Sequence, residues 1–311
     1  MCARDGLRQR VAGYALWIFD FDNTLAPLEP AVDWVMSRHE LQAWLGAQGM
    51  ADAPSEEFPR GSLAMYEALR ARLCAIGDAG PQGAAPLARA SAIIERHELA
   101  NVEAVGPARG AIELLDALHT AGAGVAIVTS NSSRTVAVWL SAWNATETVD
   151  LIVGRDSGLA LKPSPAMIER ALAAFGATPA DAAFAGDSDA DLNAANAAGV
   201  CFYGISAKAR GRRRLTALGA ALLFSSPAEM ATHLGLQISR KGRGKQPKSG
   251  YHRYWRSLFR KTRALARNCR LFGGKFAETP RPSCHSTVAG GIPVSHRRSP
   301  AVTGHEGKRS E

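Results

Sequence analysis

Residues 15–25 read ALWIFDFDNTL, and the fold turns on this stretch. Its first part, Ala15 to Phe19, is apolar without alternation, the pattern of a strand buried on both faces in a parallel sheet. The run passes directly into Asp20, Phe21, Asp22, Asn23 and Thr24, which sets two carboxylates at the carboxyl end of that strand, where α/β sheets bind their ligands. Two acids that close repel one another unless they share a proton or face a hard divalent cation bound through oxygen. Arg8 and Arg10 ahead of the apolar run from Val11 to Phe21 give it a faint likeness to a secretion signal. No small-residue cleavage site precedes the two acids, so the run is expected to be a buried strand.

Further along the chain, similar short runs recur at Gly124 to Val128, Leu151 to Val153, Ala182 to Ala185 and Val200 to Ile205. Helical patterns lie between them. From Pro107 to Thr120, Ile112, Leu115 and Leu118 recur at helical spacing before Gly122, and Ser164 with Pro165 opens a helix that runs to Phe175 and stops at Gly176. Strands alternating with helices predict an α/β domain with a doubly wound parallel sheet, Rossmann-like. Residues 30–105 break the rhythm: they lack strand-like runs and carry helical patterns at Trp34 to Leu45, Leu63 to Ile76 and Ala85 to Leu99. The expected organisation is a core of residues 1–29 and 106–239, a helical insert at 30–105, and a separate tail at 240–311.

Charge supports that division. The whole chain of 311 residues has a formal net charge of +9, but residues 1–239 hold 19 Lys and Arg against 25 Asp and Glu, while residues 240–311 hold 18 against 3. An acidic, enzyme-like body with a basic tail is not the pattern of a chain that binds nucleic acid throughout. An apolar content of 46% suits a folded core. The tail is rich in Lys, Arg, Gly and Ser and is expected to be mostly disordered, with a basic amphipathic helix at 250–272 able to meet nucleic acid or an anionic membrane. The five cysteines, at 2, 74, 201, 269 and 284, are scattered, so neither a disulfide framework nor a zinc site is expected. No apolar segment reaches the roughly 20 residues that span a bilayer, and a soluble cytoplasmic body is expected.

Three further segments carry chemistry. Val128-Thr129-Ser130-Asn131 offers a hydroxyl and successive backbone N–H groups at a helix entrance, a cradle for phosphate. Lys162, before Pro163, is the sole lysine ahead of Lys208 in a stretch that otherwise uses arginine. A compact point charge is what crowded carboxylates and a phosphate would require, where a planar guanidinium would not fit. Gly186-Asp187-Ser188-Asp189-Ala190-Asp191 again places acids at a strand end, with Asp187 and Asp191 four apart so that they can face one point, and with Asp189 suited to cap the helix. Each signal is modest alone, but all four fall at the ends of successive strands.

Taken together, DFDNTL at 20–25, VTSN at 128–131, Lys162 with Pro163, and GDSDAD at 186–191 resemble, in order and spacing, the four motifs of the haloacid dehalogenase-like hydrolase superfamily. The helical insert is similar to the cap of its phosphoglycolate phosphatase-like subgroup. Asn23 stands where many members have Gly. The resemblance implies a phosphatase of small phosphorylated metabolites in which Asp20 is the nucleophile, Asp22 the acid and base, and Lys162 a charge-offsetting group. It implies that Mg²⁺ is held by Asp20, Asp22 through its carbonyl, Asp187 and Asp191, and that Thr24, Thr129, Ser130 and Asn131 bind substrate. Asp22 argues against a dehalogenase, and a cap without lysine argues against a Schiff-base phosphonatase. A phosphomutase would use the same residues, and a binding protein acting through its basic tail is the alternative from another class.

Overall fold

The computed structural model describes residues 9–50, 61–76 and 81–238. The basic tail, with its expected helix at 250–272 and its contact with polyanions, lies outside the described residues.

Six parallel strands form one sheet: β1 (Leu16–Phe19), β2 (Gly124–Val128), β3 (Leu151–Val153), β4 (Ala182–Gly186), β5 (Cys201–Ile205) and β6 (Leu222–Phe224), in the order β3-β2-β1-β4-β5-β6. This is the order of a doubly wound, Rossmann-like sheet, and its direction reverses between β1 and β4, where the ends of the two strands leave a crevice. Register is fixed there by Phe19 opposite Ala185 on one side and opposite Ile127 on the other. The expected strands are all present. β6 is an addition, a three-residue edge strand too short to register as a periodic run.

Nine α-helices occur among the described residues. The core carries α4 (Ala111–Thr120), α5 (Ser133–Ala142), α6 (Ala166–Phe175), α7 (Asp189–Ala198), α8 (Ala209–Ala217) and α9 (Pro227–His233). Alternate residues of each strand feed two apolar cores. Trp17, Phe19, Val125 and Ile127 pack with residues of α4, α5 and α9, whereas Leu16, Ile18, Ala126, Val128 and Phe184 pack with α6, α7 and Leu215 of α8. Burial on both faces is the reason the strands are apolar throughout.

Between β1 and β2 lie α1 (Trp34–Ala47), α2 (Ser62–Ala75) and α3 (Pro81–Leu99). Asp33 caps α1 by accepting from the Met36 N–H at 2.9 Å. Leu41, Leu45, Met65, Leu69, Ile93 and Ile94 are buried in the same apolar cluster as the α6–α7 face of the sheet. Helix α4 begins at Ala111 and not at Pro107 as expected. Residues 106–110 are drawn out of the helix because the Ala108 N–H donates to the Leu25 carbonyl at 2.8 Å. Gly110 then enters α4 at φ +79°, and a Cβ there would lie 2.6 Å from Ala228.

Among the described residues, no helix is long and apolar enough to cross a membrane.

Candidate active site

Asp20 follows β1 directly, and its N–H still donates across to Ala185 of β4 at 2.8 Å. The next residues fold into a tight loop. The N–H groups of Leu25 and Ala26 reach the Phe21 carbonyl at 2.9 and 3.1 Å, and the Asn23 N–H reaches Ala26 at 2.7 Å. Asn23 sits at φ +60°, a left-handed position that suits Gly or Asn and few other residues. This loop turns the two acids to different partners. The Asp20 Oδ2 accepts from the Thr24 hydroxyl at 3.2 Å, whereas the Asp22 Oδ1 accepts from the N–H groups of Leu28 and Glu29 at 2.9 and 2.8 Å.

Asp187 lies just after β4, and Asp191 is in the first turn of α7. Ser188, not Asp189, caps this helix: its hydroxyl accepts from the Asp191 N–H at 3.2 Å, and Asp191 in return accepts from the Ser188 N–H at 3.0 Å. That reciprocal capping box fixes the Asp191 carboxylate at the helix entrance. Asp189 points elsewhere and pairs with Arg214 at 2.7 Å. Gly186 has no room for a side chain, since a Cβ would meet the Asp191 Cβ and Cγ at 2.6 Å.

Carboxylate oxygens of Asp20, Asp187 and Asp191 all lie within 4.8 Å of one another. Between Asp20 and Asp191 stands the Lys162 ammonium, paired with Asp20 and 2.5 Å from the Asp191 Oδ1, with its side chain only 5% exposed. Burial would lower the lysine's pKa, but Asp191 and Asp20 outweigh it and hold the ammonium charged well above its ordinary range. The acids respond in the opposite direction. Burial, against the pull of Lys162 and with the push of Asp191, raises the Asp20 carboxyl to about 7. Burial and then repulsion from Asp20 and Asp191 raise Asp187 to about 8. Asp22 rises to about 6 through burial, restrained by the N–H groups of Glu29 and Leu28. One lysine does not balance the cluster, and an all-oxygen set of three close carboxylates is the donor chemistry of a hard divalent cation. The Asp22 carboxylate stands outside this set.

Thr129 and Asn131 shape the loop after β2. The Thr129 hydroxyl donates to the Asn131 Oδ1 at 3.0 Å and accepts from the Asn131 N–H at 3.1 Å. The Asn131 amide donates to Glu98 at 3.1 Å, and the residue is buried, so its side chain is engaged within the protein at both ends. Ser130 is half-buried between them. Sequence reasoning missed Glu98, from α3, and Arg155, which follows β3; both are fully buried and paired at 2.7 Å. They are 57 residues apart, and no motif marks either.

Residues 65–205 match the family model described as haloacid dehalogenase-like hydrolase. The chain is similar to the phosphoglycolate phosphatase of Xylella fastidiosa, with 28% identity over 184 residues, which is 59% of this chain and 76% of that one. It is also similar to the pyrophosphatase PpaX of Halalkalibacterium halodurans, 33% identical over 96 residues, 31% of this chain and 45% of that one. Among solved structures, a family hydrolase from Deinococcus radiodurans R1 with bound phosphate and sodium matches 73% of this chain and 100% of its own, with a TM-score of 0.46 and 24% identity.

Proposed function

We propose that this chain, similar to haloacid dehalogenase-like hydrolases and to a phosphoglycolate phosphatase, is a Mg²⁺-dependent phosphatase of small phosphomonoesters that works through an aspartyl-phosphate on Asp20. The observation that carries this proposal is the meeting of Asp20, Asp187, Asp191 and Lys162 at the adjacent ends of β1 and β4.

The roles follow from the chemistry of each group. An Asp20 oxygen attacks phosphorus, and the bond from phosphorus to the leaving oxygen breaks; Asp22 gives that oxygen its proton. Asp22, now a carboxylate, takes a proton from the water that attacks the phosphorus, and Asp20 is released. A carboxyl raised to about 6 is well placed to work in both directions near neutral pH. Lys162 neutralises Asp20 and the phosphoryl oxygens that approach it, and the Ser130 amide holds those oxygens, joined by the Thr129 hydroxyl once it turns from Asn131. Asp20, Asp187, Asp191 and the Asp22 carbonyl would hold Mg²⁺, which when bound supplies further charge neutralisation at the phosphoryl oxygens. Thr24 acts by fixing Asp20, and Asn131 by fixing the loop. Residues 30–105 act as a cap over a core of 1–29 and 106–239, and the cap selects the substrate.

The test is phosphate release by the full chain from a panel of phosphomonoesters that includes 2-phosphoglycolate, with pyrophosphate alongside because relatives carry both names. Turnover is expected with Mg²⁺, its complete loss in EDTA, and its return when Mg²⁺ is restored. Full turnover in the chelator would contradict the metal assignment.

A further inference from the structure

Glu98 and Arg155 form a fully buried ion pair at the foot of α3, with both side chains at 0% exposure. The contact is bidentate: Arg155 Nη1 donates to Glu98 Oε1 at 2.7 Å and Nη2 to Oε2 at 3.2 Å. Around it the polar groups are satisfied from two sides. On the helix side, Arg155 Nε and Nη2 donate to the hydroxyl and carbonyl of Ser91, each at 3.2 Å, and the Tyr66 hydroxyl of α2 donates to the Arg155 carbonyl at 2.9 Å. On the other side every contact falls on the loop after β2 or the first turn of α5. Glu98 accepts from the Asn131 amide at 3.1 Å, the Ser132 N–H at 3.1 Å and the Thr135 hydroxyl at 2.9 Å. Arg155 Nη1 donates to the Ser130 carbonyl at 2.8 Å, and the Arg155 N–H donates to the Asn131 carbonyl at 2.9 Å.

A buried ion pair is a poor source of stability, because desolvating two charges costs about as much as their attraction returns, and apolar residues of the same volume often serve as well. What this pair does provide is geometry. The planar peptide between Ser130 and Asn131 is held at both ends, its carbonyl by Arg155 and its N–H by the Thr129 hydroxyl. Glu98 stays ionised in this position. Burial would raise its pKa, but Arg155 and the Ser132 and Asn131 donors prevail and hold it below the usual carboxylate range.

We propose that Glu98 and Arg155 are positioning residues that set the conformation of the phosphoryl-binding loop 129–132 from helix α3, so that phosphate affinity depends on a buried pair that does not touch phosphate. This rests on the assignment of that loop to the phosphoryl group. Groups placed about 1 Å from their productive positions can lose on the order of 100-fold in rate, and loss of supporting contacts around a site commonly costs roughly 10- to 100-fold.

The test compares three full-length proteins: wild type, Arg155→Lys, and the double variant Glu98→Gln/Arg155→Met, which leaves no lone buried charge. The double variant is expected to melt near the wild-type temperature, while inorganic phosphate inhibits it about 10-fold more weakly and kcat falls about 10-fold or more. Arg155→Lys keeps the charge but loses the fork, and is expected to show the same loss of phosphate affinity. Hydrogen exchange reads the loop without any substrate: amides at 129–135 should exchange faster in both variants while those of β4 do not change. Wild-type phosphate inhibition in either folded variant, or exchange that is unchanged or accelerated uniformly over the whole fold, would overturn the proposal. Failure of the phosphatase assignment would show separately, as a wild-type protein that releases no phosphate.

Discussion

Asp20→Asn is expected to lower kcat by about 10⁴-fold or more while the protein stays folded, since under the proposed mechanism it replaces the nucleophilic carboxylate with a weakly nucleophilic amide. The fold should tolerate the change for a reason visible in the site. Asp20 shares a buried cluster with Asp187 and Asp191, and burial with this crowding already holds its carboxyl at about 7. A neutral amide of the same shape removes one of the mutually repelling charges and leaves Lys162 paired with Asp191 at 2.5 Å. The melting temperature without metal should therefore match or exceed the wild-type value, measured by calorimetry beside steady-state kinetics. Asp22→Asn should also be nearly inactive, but for a different reason: attack by Asp20 survives, and both leaving-group protonation and hydrolysis of the intermediate slow. An Asp20→Asn protein with more than about a hundredth of wild-type turnover would remove Asp20 from the nucleophile's place.

Lys162→Arg is expected to cost about 10²- to 10³-fold in kcat/KM, despite keeping the charge. The lysine ammonium sits between Asp20 and Asp191, takes a further contact at 3.3 Å with the Val128 carbonyl, and lies 5.5 Å from the centre of the Phe184 ring. Each neighbour belongs to β2 or β4, directly follows β1, or sits in the capped start of α7, so none can retreat without disturbing the sheet. A guanidinium is wider and spreads its charge, so it must either displace the nucleophile or leave the crevice. Lys162→Met should be worse for stability, because Asp20 and Asp191 both lose their buried countercharge. Kinetics of Lys162→Arg equal to wild type would mean that the site does not require a point charge.

How far the sequence revealed this arrangement depends on how local each signal is. Strands β1 to β5 were legible because both faces are buried and every residue had to be apolar; Trp17, Ile18 and Phe19 are all 0% exposed. Edge strand β6 offers only Leu222 to Phe224, too short for a period to emerge. The start of α4 was misplaced because the competing bond from Ala108 to Leu25 joins segments far apart in sequence. In the site, the acids and Lys162 stood out through residue type at strand ends. Asp189 suits a cap by residue type, but Ser188 and Asp191 satisfy each other at the start of α7, a reciprocity that composition alone does not reveal. Asn131 looked like a substrate ligand because it adjoins Thr129 and Ser130, whereas its amide is committed to Glu98. Glu98 itself reads in sequence as one more charge near the end of a helix, and Arg155 as a loop cation. Only the folded chain brings them together.

The central claim is that phosphate passes through a covalent bond to Asp20, and reduction of the intermediate tests it most directly. An aspartyl-phosphate is an acyl phosphate, which borohydride reduces to the alcohol, so quenching turnover into borohydride would convert the phosphorylated aspartate to homoserine. Peptide mass spectrometry should then find homoserine at Asp20 only when substrate and Mg²⁺ are both present. Homoserine at another aspartate, or none at Asp20 while phosphate is being released, would contradict the account.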